Sequence, residues 1–461
     1  MQINPFTISV PQPEVDDLRA RIANTRWPSD IVDDWSRGVP VAYARKLADH
    51  WANTFDWPTQ QARLNTFPQF TTSIDGQKIH FVHVRSSVEG ATPLLLLHGY
   101  PSSFVEFSRM IGPLVDSTAH GAGPEDAFHV VIPSPPGFGF STPVSSPGWD
   151  MKRTATTFDD IMTAVGYERY GVHGADVGAG LAEQLCIQAG ERVIGSLVVT
   201  DPGAIATEFT PPTDHLTEEE RDRLQGLKAT RAEDFGYLQV QMTRPQSVAY
   251  GLTDSPVMQL TWIIEKVKEW TDPAKELPED AVDLDLLLTL VSVYWFGRGG
   301  AGAANFLYEA AHAAPAWGQV HDRPQGFVSF GVEPLVRRIL DPEEKLAYWN
   351  EHPVGATSRR WRRRASSWRI FERSSAPTAK HSGPIGRWAA LQALRRMSRS
   401  APRRFLRRAK YGRSSRSDQA ASFPLQPRRP PSQQTKMRCF FGDVARGFSL
   451  QPVDPGCGEL R

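Results

Sequence analysis

Four short apolar runs, at residues 94–97 (LLLL), 130–132 (VVI), 170–172 (YGV) and 194–199 (IGSLVV), are separated by polar or amphipathic stretches of helix length. A strand that is apolar along its length is buried on both faces, and a parallel neighbour is reached through a crossover helix, so this rhythm predicts a parallel α/β sheet. It stops from about Ile205 to His321, where TEEERDRLQGLKATRAEDFGYLQVQ, SPVMQLTWIIEKVKEW and LDLLLTLVSVYWF read as three helices, and it resumes at residues 326–330. The economical reading is an all-helical insertion into one sheet, followed by a helix that starts after a turn around Asp341. Upstream, residues 1–70 combine Pro and Trp punctuation with short helical patterns, Leu18 and Ile22 among them, and read as a helical cap rather than a core. FTTSIDGQKIHFVHVR then offers two alternating segments joined at Asp75-Gly76, a strong β-hairpin signal.

The charge of the 461-residue chain is divided unevenly. Its formal net of +1 conceals a segment from Ala356 to Arg461 with 25 basic and 5 acidic residues, against 27 basic and 46 acidic before it. The near-neutral total excludes an overall polyelectrolyte, and the Arg-, Ser- and Pro-rich tail reads as disordered rather than packed. Three cysteines, Cys186, Cys439 and Cys457, are too few for a disulfide framework and fit a reducing compartment. The start MQINPFTISVPQPEVDD lacks the pattern of a signal peptide, and no later run approaches the roughly 20 apolar residues that span a bilayer, so the expectation is a cytoplasmic protein without a membrane anchor. The resulting division is 1–90 for an N-terminal extension, 91–204 and 322–355 for the two parts of the core, 205–321 for the helical insertion and 356–461 for the basic tail.

Gly174-Ala175-Asp176-Val177-Gly178 follows an expected strand and opens an expected helix, the layout of a strained strand-to-helix elbow that presents a nucleophile between small residues. With Asp at its centre the chemistry is alkyl transfer, a carboxylate attacking an electrophilic carbon to leave an ester on the protein. Asp176 as a plain helix cap is the competing reading, about even on this motif alone. His98-Gly99-Tyr100-Pro101 follows the LLLL strand, where the backbone N–H of Tyr100 would join that of Val177 in an oxyanion hole. An ordinary strand-ending turn is the alternative there, as it is for the Pro/Gly-rich loop PSPPGFGFS after the next strand.

NPFTISVP, LRARIANTRWP, FDWPTQQARLNTFPQFTTSIDGQKIHFVH, LLLLHGYPSSFVEF, IPSPPGFGFS and HGADVGAG, in this order over about residues 4–355, resemble the microsomal-type epoxide hydrolase family of α/β-hydrolases, including its N-terminal extension. The resemblance implies an α/β-hydrolase sheet with a helical lid, and hydration of an epoxide to a vicinal diol without cofactor or metal. It also implies two lid tyrosines that protonate the leaving alkoxide, matched by Tyr237 in FGYLQVQ and Tyr308 in NFLYEAAH, with Tyr250 as the alternative to Tyr237. The acid that orients a catalytic imidazolium falls on Glu333 in FGVE, with Asp341 as its backup. For the tyrosines the bland alternative is a buried lid aromatic, and for the acids a surface carboxylate. The implied partner is a small-molecule epoxide, with homo-oligomerisation left open.

The pattern breaks where the family carries a His in a Gly-Gly-His-Phe segment. Here AYWNEHPVG leads to that place and continues ATSRRWRRRASSWRIFERSS. Written with suitable codons, the stretch from Gly355 onward reads GGHFPAMEAP once a single nucleotide is restored, and the stretch at residues 371–375 falls within GIIVEDFRAFF. Codon degeneracy makes this compatibility rather than identity, and the expectation is a single-nucleotide frameshift with 356–461 out of frame. His352 is nearest by position, but a shift of several residues on a strand end carries its imidazole beyond hydrogen-bond reach of the attacking water, and His312 and His381 have no motif support. Haloalkane dehalogenation, through the same Asp alkylation, is the alternative activity. A non-catalytic pocket protein whose basic tail binds nucleic acid or a membrane surface is the alternative of another class.

Overall fold

The computed structural model describes residues 1–199, 213–231, 235–271, 275–314, 321–330 and 334–352. Nine strands form one sheet in the order β1-β2-β3-β5-β4-β6-β7-β8-β9. They are β1 (Asn4–Phe6), β2 (Gln69–Ile74), β3 (Gln77–Val84), β4 (Thr92–Leu97), β5 (Phe128–Pro133), β6 (Tyr170–Ala175), β7 (Val193–Val199), β8 (Gln325–Phe330) and β9 (Tyr348–His352). From β5 to β9 neighbours run parallel, while β1, β2, β3 and β5 pair antiparallel, so the sheet is mixed rather than wholly parallel. The hairpin forms where Asp75-Gly76 places it: both residues have positive φ, 50° and 77°, as a type I′ turn requires.

The N-terminal extension contributes α1 (Gln12–Ala23), α2 (Val41–Asn53) and α3 (Trp57–Leu64), and the short β1, which the sequence pattern did not signal. Val15, Leu18, Trp51 and Leu64 are buried in the same apolar cluster as Leu94 to Leu97, so this segment completes the core instead of capping it. Trp51 Nε1 donates to Ser292 Oγ at 2.9 Å, a buried bond between the extension and the inserted helices.

Helices α4 (Ser108–Val115), α5 (Met151–Ala164) and α6 (Val177–Gln188) accompany the central strands. Between β7 and β8 the chain inserts α7 (Glu218–Arg231), α8 (Gly236–Thr243), α9 (Pro245–Asp254), α10 (Pro256–Trp270), α11 (Leu284–Phe296) and α12 (Gly299–His312). Because β7 and β8 pair directly, from Ser196 against Gln325 to Val199 against Val328, the helices are an insertion and the sheet resumes after them. The expected first helix is two, α7 and α8, and α9 and α12 are additional. Pro245 occupies the first turn of α9, where its missing N–H costs nothing, and the glycines opening α12 let it pack against Gly137. Helix α13 (Pro334–Leu340) ends before Asp341, reversing the expected order of turn and helix. Asp341 Oδ1 instead accepts the N–H groups of Lys345 at 2.6 Å and Leu346 at 3.2 Å, holding the turn into β9. Among the described residues no helix is long and apolar enough to cross a membrane.

Candidate active site

Strand β6 ends at Ala175 and α6 begins at Val177, leaving Asp176 alone to turn the chain. It does so at φ 53° and ψ −126°, a left-handed conformation that an L-residue adopts only when its surroundings impose it. The surroundings are glycines. A Cβ on Gly174 would overlap the carbonyl of Gly178, one on Gly178 would overlap the carbonyl of Leu97, and one on Gly99 would overlap the Asp176 side chain itself. The elbow therefore packs directly on the loop that leaves β4.

That contact settles which amides meet the carboxylate. Asp176 Oδ1 accepts the N–H of Val177 at 2.7 Å and the N–H of Tyr100 at 2.9 Å. A helix-capping Asp accepts from the second or third helical residue, here Gly178 or Ala179, whereas Asp176 accepts from the first and from a separate loop. Cap geometry thus gives way to two convergent backbone donors, the amides of Tyr100 and Val177. Burial pushes the Asp176 carboxyl above its ordinary value, opposed by the hydrogen bonds from Val177 and Tyr100.

Tyr100 also carries a ring into the site. It lies 5.9 Å from the ring of Tyr237 at an interplanar angle of 12°, and burial pushes its phenol upward, so it stays neutral. Tyr237, on α8, packs in turn against Trp270, with ring centres 5.6 Å apart, and under Lys266 Nζ, 4.7 Å from its ring centre. The structure therefore brings Asp176, Val177, Tyr100 and Tyr237 into one connected group. Tyr308 lies on α12, which packs on the α8 that bears Tyr237, and its ring stacks at 4.0 Å on His312. Tyr250, on α9, is 70% exposed. Glu333 and the segment from 353 onward, including His381, lie outside the described residues, while the backbone of His352 ends β9 opposite Phe330.

Several groups near the elbow carried no sequence signal. Tyr294 donates its hydroxyl to the Ser102 carbonyl at 2.9 Å and braces the loop that carries the Tyr100 amide. Glu106 is 1% exposed, and its Oε1 has no hydrogen-bond partner among the described residues. Burial raises its carboxyl to about 8, with the Ser102 hydroxyl opposing and the Asp176 charge adding to the rise. A lone carboxylate in the apolar run FVEF was the available hint. His98 and His173 flank the same strands, but burial lowers both to about 4; His98 packs on Phe138, and His173 donates Nδ1–H to the Leu197 carbonyl at 3.1 Å. Both are enclosed neutral imidazoles. Among the described residues no His/Cys/Asp/Glu group could hold a metal ion.

The sequence profile described as epoxide hydrolase N terminus matches residues 3–107, and that described as alpha/beta hydrolase fold matches residues 92–244. A Stigmatella aurantiaca protein bearing an epoxide hydrolase name is 40% identical over 357 residues, covering 77% of this chain and 80% of its own. Epoxide hydrolase 1 of Sus scrofa is 31% identical over 359 residues, covering 72% of this chain and 79% of its own. Among solved structures, juvenile hormone epoxide hydrolase from the silkworm Bombyx mori superposes with a TM-score of 0.69 at 25% identity, covering 87% of this chain and 95% of that one. Aspergillus niger epoxide hydrolase superposes with a TM-score of 0.65 at 25% identity, covering 86% of this chain and 97% of that one.

Proposed function

The chain belongs to the epoxide hydrolase family of α/β-hydrolases and is an enzyme of that family, and from this premise we propose that Asp176 opens the epoxide as a nucleophile. The observation that carries the reading is the grip on Asp176 Oδ1 by the amides of Tyr100 and Val177. Those bonds orient the carboxylate and leave Oδ2 to attack an epoxide carbon. A carbon–oxygen bond forms to Oδ2, the strained carbon–oxygen bond of the ring breaks, and the departing oxygen takes a proton from a lid phenol, Tyr237 with Tyr308 as its partner. When water attacks the resulting ester, negative charge develops at the oxygen those same amides already face. The strained elbow supports this assignment, because it holds the carboxylate in place before substrate arrives.

Hydrolysis of the ester needs a base, and alkylation does not. The base is the group that the Gly355 break removes. We take residues 356–461 as out of frame, and Glu333 as the acid that would orient the missing imidazole. In support, the aligned share of the Stigmatella aurantiaca relative, 77% of this chain, is the length of the segment before the charge break. The test compares this chain with one in which a single nucleotide is restored after codon 355, using a styrene-oxide-type epoxide. The restored chain should release diol continuously, while this chain should consume about one epoxide per molecule and stop. Continuous turnover by this chain, or none by the restored one, would sink the frameshift assignment.

A further inference from the structure

Lys266, on α10, has a side chain only 4% exposed, with Nζ 2.7 Å from Glu265 Oε1 and 2.9 Å from Glu269 Oε2. Both carboxylates lie on its own helix and are about a third exposed, so the ion pairs alone would be served equally by a lysine turned toward solvent. Burying an ammonium costs more than such pairs return, and something else must hold the side chain inward. From α8 the ammonium meets the face of Tyr237, 4.7 Å from the ring centre. A cation there is attracted to the π-face, and more strongly when the site is dry. The contact continues through the stacked Tyr100 ring to the amide that grips Asp176.

We propose that Lys266 is a positioning residue for the reaction. Its ammonium holds the Tyr237 ring over the Tyr100 loop and offsets the charge that grows on the phenol oxygen as the proton leaves. This rests on the reading of Tyr237 as a proton donor. In that step the electron pair of the breaking epoxide carbon–oxygen bond takes the Tyr237 proton, and the phenolate left behind delocalises its charge into the ring beneath Nζ. Glu265 and Glu269 work against the ammonium at the ring, and Glu265 also acts on Tyr100, so among the described residues these three charges oppose one another beside Tyr237. Among the described residues, the titratable groups across the ring include Tyr100 and, beyond it, Asp176.

The balance gives two variants of opposite sign. Lys266→Met leaves the carboxylates facing the ring, and Glu269→Gln leaves the ammonium less neutralised. Phenolate absorbance titrations of the full-length chain, each read as the difference from the same protein carrying Tyr237→Phe, isolate this ring and need no epoxide. Lys266→Met should raise the midpoint by about one pH unit and Glu269→Gln should lower it. Glu269 is part-exposed, so its variant decides the matter even where Lys266→Met fails to fold. Single-turnover labelling of Asp176 by epoxide should slow about tenfold in Lys266→Met at an unchanged half-saturating concentration, and Lys266→Arg should restore it. Midpoints that stay put, or that move in the same direction, overturn the proposal. Slow labelling in Tyr237→Phe beside normal labelling in Lys266→Met overturns the role of Lys266 alone, whereas normal labelling in Tyr237→Phe overturns the proton-donor reading and this inference together.

Discussion

Two carboxyls share the ground beneath the Tyr100 loop, and their surroundings treat them differently. Burial raises both, but Asp176 has two amides to favour its charged form where Glu106 has one hydroxyl, and Glu106 rises to about 8. The Glu106 pKa is raised on folding, so its contribution to stability is fully present below about 4.5 and is lost as pH climbs toward 8. Glu106→Gln keeps the neutral shape and cannot ionise. Its melting temperature relative to the parent should therefore improve steadily between those two pH values, as followed by circular dichroism; a constant difference would mean that Glu106 does not titrate in this window. At the same scale, Asp176 and Val177 were legible because a strand-to-helix elbow is spelled by adjacent residues, and Tyr100 because its turn directly follows the apolar run at 94–97. Lys266 and Glu106 were not, since their meaning depends on Tyr237 and Asp176, which are distant in the chain.

The elements that sequence pattern located well are those whose cause is local. β2 and β3 meet at a dipeptide that tolerates positive φ, and β4 to β7 are continuous apolar runs. Those it missed depend on tertiary packing. β1 is three residues long and exists because β2 offers it an edge, and the first turns of α12 carry poor helix formers where space is short, Gly300 against Gln259 and Leu252 and Gly302 against the backbone of Gly137. Close approach has its sharpest consequence at α6, where Gly178 leaves no room for a side chain beside the carbonyl oxygens of Leu97 and His98. Gly178→Ala should force the elbow off the β4 loop, breaking the bond from the Tyr100 amide to Asp176. The expected outcome is a stability loss of about 1–3 kcal/mol by denaturant unfolding together with loss of Asp176 labelling. Full labelling in that variant would show that the loop contact is dispensable.

At the scale of the molecule, residues 1–64, the central sheet and the inserted helices share one core, with Trp51 buried and bonded to Ser292 as the seam. The division at residue 90 therefore marks a boundary in pattern and not in folding, because periodicity shows which face of an element is apolar but not what covers it. The charge break after Gly355 is of another kind. On the proposed reading it separates a segment that folds around Asp176 from one that does not supply the base for hydrolysing the ester. That reading makes opening of the epoxide and release of the diol separable events. Mass spectrometry of the peptide containing Asp176, after the chain has met excess epoxide, reads this directly. The account predicts a gain of one epoxide on Asp176 that persists, and no gain in Asp176→Asn. A folded chain that consumes epoxide with Asp176 unmodified, or whose Asp176→Asn variant is labelled equally, would contradict it.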